Sequence, residues 1–189
     1  MRVLIAGVIG GIVMYIWASV AHVATPLATI GLEAMPNEAA AMAVLHQSLG
    51  DKPGLYFFPF MHGSASDAKA MAAQKAALQT SPAGLLAYQP PGTSGLGVSR
   101  LITEFVLELV ESVLAAVVLA CAAGFSRRLG IAVLIGVIAG MATNLSYWNW
   151  YGFDIDYTLA NAFTELMKFV FAGAAIAWVL GWRRWRGAS

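Results

Sequence analysis

Six polar residues interrupt two otherwise apolar stretches of this chain, and their side chains could do chemistry. In each stretch the three polar residues are four and three positions apart, which places them on one face of an α-helix. Carboxylate, amide and ammonium groups on facing helices can bind a proton, a metal ion or a polar ligand, or can simply join the helices. The six residues are Glu104, Glu108, Glu111, Asn161, Glu165 and Lys168.

The composition indicates an integral membrane protein. Of 189 residues, 59% are hydrophobic and 11% are charged, whereas soluble domains average about 25% charged residues. A soluble chain of this size could not bury so much apolar surface in one core, so membrane lipid is the first predicted partner. The formal net charge of +1 does not indicate a nucleic-acid partner. Cys121 is the single cysteine, which excludes an internal disulfide.

Four apolar stretches are long enough to cross a bilayer core, which takes about 20 residues. The first is longer than the apolar run of a usual signal peptide, so we expect it to remain as an anchor. Glycines spaced four apart in the first and third stretches (Gly7 and Gly11, Gly136 and Gly140) favour close helix packing. The predicted spans are residues 3–24, 101–125, 129–150 and 157–181.

Arginines predict the orientation of these spans, because positively charged loops stay in the cytoplasm. Arg2 precedes the first span, Arg127 and Arg128 separate the second from the third, and 183–186 holds three more arginines after the fourth. With both termini cytoplasmic, all these positive charges lie on the same side. The chain then divides into a first span (1–24), an extracytoplasmic cap (25–100) and three further spans with a cytoplasmic tail (101–189).

The cap is predicted to hold two helices and a small β-ribbon. Residues 36–49 and 64–80 have helical patterns, with Ser64 or Ser66 expected to cap the second helix. Residues 54–59 and 84–90 each run from a glycine to a proline and contain apolar and aromatic residues, which is typical of short strands. The predicted fold class is an all-α membrane protein: four transmembrane helices, with this cap between the first and second.

Aligning the second and fourth spans start to start predicts three facing pairs and a polar notch open to the outer side. The innermost pair, an acid and a lysine, would close its floor near mid-membrane. His22 would lie at the depth of the outermost pair, and Asn144 at the depth of the middle one. The pairs are Glu104 with Asn161, Glu108 with Glu165, and Glu111 with Lys168.

Metal binding is one interpretation of this notch. A histidine together with carboxylates is a plausible ligand set for a transition metal, and the candidates are His22, Glu104 and Glu108. The Glu-x-x-His unit of carboxylate di-metal bundles does not occur. Bis-histidine haem is not favoured, because it needs two facing helix histidines and only His22 lies in a predicted span.

Four segments resemble the landmarks of a family of small four-span bacterial inner-membrane proteins that has no assigned activity. They are "IWASVAHVATPLATIGLEAMPNE", "GLYFFP", "PAGLLAYQPPG" and "NWYGF". The resemblance covers most of the chain. It implies the same topology and a location in the bacterial inner membrane, and it assigns no catalytic residue.

The sequence favours a non-enzymatic protein, because no phosphate-binding glycine loop, nucleophile elbow or HExxH motif occurs. We expect an accessory, assembly or ligand-binding subunit whose partner is a larger membrane complex or another copy of the chain. Two alternatives remain open. One is a proton- or cation-coupled transport component that uses Glu108, Glu165 and Lys168. The other is a metal-dependent membrane enzyme that uses His22, Glu104 and Glu108.

Overall fold

The computed structural model describes residues 1–93 and 97–185, with side chains up to residue 181. The chain forms two compact units, one of Met1–Leu32 with Leu96–Ser189 and one of Glu33–Gly95. Of the arginines used to predict orientation, those at 183 and 184 lie outside the described side chains, and the one at 186 lies outside the described residues.

The first unit consists of helices. Helix α5 continues through a π-helical turn, Met141–Leu145, directly into α6. A short 3₁₀ helix, Pro26–Ala28, follows the first helix. The α-helices of this unit are α1 (Arg2–Val23), α4 (Val98–Ala120), α5 (Phe125–Gly140), α6 (Ser146–Tyr151) and α7 (Ile155–Trp185).

Three helical stretches in the described residues are long and apolar enough to cross a membrane: Arg2–Val23, Phe125–Tyr151 and Ile155–Gly181. They support a membrane protein. Helix α4 has 23 residues and is about 34 Å long at 1.5 Å per residue. Because it contains three glutamates, α4 is not among the three stretches given above, and its crossing of the membrane remains a prediction. The helix ends at Ala120, before the predicted residue 125, because Phe125 already begins α5.

Helix α7 lies at the centre of this unit and packs against α1, α5 and α4. Its carboxyl-terminal half lies beside the start of α1, since the Arg2 guanidinium donates to the carbonyl oxygen of Val179 at 2.9 and 3.2 Å. Arg128 Nε donates to the carbonyl oxygen of Ala122 at 3.1 Å, just after α4 ends. Arg2 and Arg128 therefore lie at the same end of the unit, where α1 begins and α4 ends.

Glycine allows these helices to approach closely, as their spacing predicts. A Cβ atom on Gly7 would lie 2.7 Å from Val113 Cα, and one on Gly11 would lie 2.8 Å from Leu109 Cα. On α5, a Cβ atom on Gly140 would lie 2.9 Å from the carbonyl oxygen of Ala162 in α7. These distances leave no room for a side chain, because real Cβ contacts under 3.0 Å are essentially absent. The predicted close packing at these glycines is confirmed.

The second unit contains the predicted two helices and ribbon: α2 (Glu38–Leu49), β1 (Gly54–Phe58), α3 (Ala68–Thr80) and β2 (Gly84–Tyr88). The strands are antiparallel, with Tyr56 opposite Leu86. The predicted cap of α3 is wrong. Asp67 is the capping residue and accepts from the Lys69 backbone N–H at 2.8 Å. The hydroxyls of Ser64 and Ser66 bond each other instead, at 2.8 Å.

Candidate functional site

An ion cluster lies between α4 and α7, halfway along both helices. Lys168 is at the midpoint of the candidate span Ile155–Gly181, and Glu108 lies near the middle of α4. Both side chains are buried. An uncompensated charge is most costly at the centre of a bilayer. A basic residue at this place on α7 and an acidic one on α4 therefore favour the contact of the two helices.

Three carboxylates surround the Lys168 ammonium. Its Nζ lies 2.9 Å from Glu108 Oε1, 3.2 Å from Glu165 Oε2 and 3.4 Å from Glu111 Oε2. Glu165 comes from the preceding turn of the same helix, and Glu108 and Glu111 come from α4. One positive charge thus faces three groups that are negative when ionised. The cluster therefore has an excess of acid, which only a proton or a further cation can neutralise.

The three carboxylates differ in their access to the outside of the fold. The side chain of Glu108 is 1% exposed, that of Glu165 is 33% exposed and that of Glu111 is 45% exposed. Glu108 is therefore enclosed by the protein. The side chains of Glu111 and Glu165 remain partly exposed, so a group that is not part of this chain can reach them.

Two buried polar groups beside the cluster lack a hydrogen bond in the described part of the chain, namely Glu108 Oε2 and the Ser112 hydroxyl. Glu108 Oε1 meets Lys168 as an ion pair at 2.9 Å, outside hydrogen-bond geometry. Ser112 is fully buried against α1, where a Cβ atom on Gly10 would collide with its Oγ. The sequence analysis missed Ser112. The available signal was its position one helical turn after Glu108 on the same face.

The structure brings together four of the predicted site residues, with different partners from those expected. The predicted contact of Glu111 with Lys168 is present, but Glu108 is closer to the ammonium. Glu108 and Glu165 were expected to need a proton or a cation between them, and Lys168 is that cation. A long, flexible lysine side chain can reach acids on two turns of α4, which a pairing by register does not anticipate.

Glu104 and Asn161, the outermost predicted pair, do not belong to the cluster. Asn161 Nδ2 donates to the carbonyl oxygen of Tyr157 at 2.8 Å, within its own helix. Glu104 is exposed on α4, one turn before Glu108. An amide side chain in an apolar helix can donate to a carbonyl of the preceding turn, and Asn161 uses one of its donors in this way rather than on α4.

His22 and Asn144 also bond within their own helices. His22 Nδ1 lies 2.9 Å from the carbonyl oxygen of Ala18, and Asn144 Nδ2 donates to that of Gly140 at 3.0 Å. Asn144 lies in the π-helical turn. The sequence reasoning placed these two residues by depth alone, and depth does not determine which side of a helix faces the cluster.

A small cavity lies at the carboxyl-terminal end of α1, displaced from the ion cluster toward that end of the helix. Its water-accessible volume is about 10 Å³, which is room for about one water molecule. His22 and Asn161 both line the cavity, and none of the three carboxylates around Lys168 does. Its lining residues are Ala21, His22, Leu27, Ala28, Asn161 and Thr164.

The predicted metal set of His22, Glu104 and Glu108 is not assembled. Among the described residues, no three His, Cys, Asp or Glu side chains are placed to hold a metal ion. His22 lies in the last turn of α1, whereas Glu108 is buried halfway along α4 against an ammonium. The lysine occupies the place that a metal cation would need among the acids.

The chain was compared with protein-family models, with curated proteins and with solved structures, and none of them matches it.

Proposed function

We propose that the protein is a multi-pass accessory or assembly subunit of the bacterial inner membrane, without enzymatic activity of its own. It binds its partner within the membrane through the ion cluster around Lys168. One observation supports this proposal most directly: three carboxylates gather on one ammonium, and Glu111 and Glu165 remain partly open to the outside of the fold.

The cluster favours binding over simple packing of the chain's own helices. An acid at the centre of a spanning helix costs about 2.5 to 3.5 kcal/mol on the insertion scale. A cluster that only joined α4 to α7 would need one acid for Lys168, and Glu108 already lies at 2.9 Å. Glu111 and Glu165 add to the free-energy cost of placing these helices in the membrane, and the protein does not enclose their side chains. A partner with a cation or a strong hydrogen-bond donor would offset that cost.

In the proposed topology α4 also crosses the membrane, as the second of four spans, and both termini are cytoplasmic. Arg2 and Arg128 lie at one end of the helical unit, as expected for a cytoplasmic end. The chain leaves α1 and enters α4 at the opposite end. Glu33–Gly95, which connects these two helices, is then periplasmic.

Thiol labelling tests this topology, because Cys121 is the only cysteine and is exposed just after α4. In intact cells, a membrane-impermeant maleimide should leave Cys121 unlabelled, and permeabilising the inner membrane should expose it. A Ser64→Cys change in a Cys121→Ser background should be labelled in intact cells. Labelling in the opposite order would contradict the proposed orientation.

Neutralising the open acids tests the assembly role. We expect Glu111→Gln with Glu165→Gln to release the chain from its complex, because both changes remove the excess negative charge and keep the side-chain size. The measurement is the mass of the native particle, extracted from its own membranes in a mild detergent. The unmodified chain of 20.0 kDa should migrate in a larger assembly, and the variant should migrate without the partner.

Glu33→Gln is the matched control, since Glu33 is an exposed acid in the other unit, and it should leave the assembly unchanged. Two results would contradict the proposal. In one, the unmodified chain carries no partner in its own membranes. In the other, the complex survives loss of both acids.

A second candidate function is a proton- or cation-coupled transport component. It is favoured by Glu108 Oε2, which is buried without a hydrogen bond beside the lysine. Such an oxygen can accept a proton that passes through the cluster. Flux into vesicles containing the purified chain would be lost in Glu108→Gln and kept in Glu33→Gln. An equal flux with and without the protein would dismiss this candidate.

A further inference from the structure

We infer that the partner is a transmembrane helix with a lysine or arginine near the bilayer centre, and that it docks along one stripe of α4. This inference rests on the proposed function and specifies the partner's chemistry. The stripe, which we call the acid seam, is spaced three and four residues apart, as in helix-packing seams. It consists of Glu104, Leu107, Glu111, Leu114 and Val118.

All five side chains of the acid seam are exposed. Helix α1 covers a different face of α4, since Gly7 and Gly11 lie against Val113 and Leu109. The buried residues of α4 begin only at Glu108, and residues 98–107 include none. Among the described residues of the helical unit, little therefore covers the half of α4 that precedes the cluster, and the acid seam extends into it.

The negative charge of the acid seam determines which kind of partner can cover it. Glu111 is half-open near the middle of α4, and Glu104 is exposed seven residues earlier, about 10 Å along the helix axis. Lipid tails offer neither a cation nor a donor to these groups. A second copy of the chain, parallel and paired through the same stripe, would place Glu111 against Glu111 at equal depth. A helix with a basic residue opposite Glu111 supplies the missing charge at the required depth.

The direction of the Glu111 side chain supports a lateral partner. Its Oε2 lies 3.4 Å from Lys168, the longest of the three ion pairs, so the carboxylate sits at the edge of the cluster. A carboxylate has two oxygens and about four acceptor sites. An incoming ammonium or guanidinium can therefore bind Glu111 while Lys168 keeps its contact with the same group.

Synthetic transmembrane peptides test the inference without knowledge of the natural partner. The probe is a 23-residue Leu/Ala helix, about the length of α4, with one central lysine and an acceptor dye. The matched peptide carries norleucine in place of lysine. Energy transfer from the labelled full chain in phosphatidylcholine vesicles measures association. We expect the lysine peptide to associate about tenfold more tightly than the norleucine peptide, as for one good hydrogen bond between membrane helices.

Two variants locate the contact. Glu111→Gln should remove the preference for lysine. Leu114→Trp should block docking sterically while leaving the ion cluster intact, whereas Val106→Trp, at an exposed position that is neither three nor four residues from any member of the acid seam, should not block it. Equal association of the two peptides would overturn the inference. The inference would also be overturned by a lysine preference that survives Glu111→Gln, or by a tryptophan at 106 that blocks docking as strongly as one at 114.

These outcomes are separate from those of the proposed function. A native complex that depends on Glu111 and Glu165, in a chain that binds neither peptide, would reject the acid seam and keep the assembly role. A chain that is alone in its own membranes but binds the lysine peptide through Glu111 would reject the assembly role and keep the acid seam as a binding surface.

Discussion

Replacing Lys168 by methionine should reduce the free energy of unfolding by about 3 to 5 kcal/mol, because it leaves an uncompensated charge cluster inside the protein. The ammonium is the only described group of opposite charge paired to Glu108, Glu111 and Glu165. Without it, each acid must take up a proton or repel the others. The measurement is reversible unfolding in mixed micelles, followed by helical circular dichroism.

A second change separates charge from packing. Adding Glu108→Gln to Lys168→Met should recover most of the lost stability, since the buried carboxylate is then neutral as well. Lys75→Met is the control, because Lys75 is exposed on α3, and it should change stability by less than about 0.5 kcal/mol. A Lys168→Met variant as stable as the unmodified protein would show that the cluster does not support the fold.

Replacing Gly11 by alanine should destabilise the helical unit by about 1 to 3 kcal/mol, the usual cost of overpacking. The new methyl group would lie 2.8 Å from Leu109 Cα and 3.2 Å from the carbonyl oxygen of Glu108. Both are backbone atoms, so a change of side-chain rotamer cannot relieve the collision. Helix α1 would have to move away from α4 at the level of the ion cluster, and the same unfolding measurement detects this.

Gly130→Ala is the matched control within a helix, since a Cβ atom there meets nothing within 4 Å. Alanine is a better helix former than glycine by about 1 kcal/mol in water, so this variant should be neutral or slightly more stable. Only the Gly11 change should therefore destabilise the protein. If both have the same effect, the close approach of α1 and α4 does not contribute to stability.

The local features of the fold were predictable because they depend on short-range patterns. The apolar stretches predicted every long helix among the described residues, and the four-residue glycine spacing predicted close packing there without indicating the partner helices. The ribbon was predictable from its two Gly-to-Pro segments. Helix ends were less predictable. Asp67 caps α3, because Ser64 and Ser66 bond each other rather than the first turn of that helix.

The candidate site was predictable only in part. The spacing of Glu108 and Glu111, and of Glu165 and Lys168, places each pair on one helix face, since that depends on the helical period alone. Which atoms meet depends on the axial offset and rotation of α4 against α7. The close contacts of α1 with α4 help to set both, and no residue in either acidic stretch encodes them. The predicted order of pairs therefore differed from the observed one.

By itself, the sequence determined that this protein belongs in a membrane, that its long segments are helices, and that acids and a lysine share helix faces. Composition and helical period suffice for those conclusions. Only the tertiary structure decided that Lys168 holds three carboxylates and that Glu111 stays half-open. It also decided that His22, Asn144 and Asn161 bond their own helices. The physical reason is that the rotation and offset of packed helices arise from contacts between residues far apart in the chain.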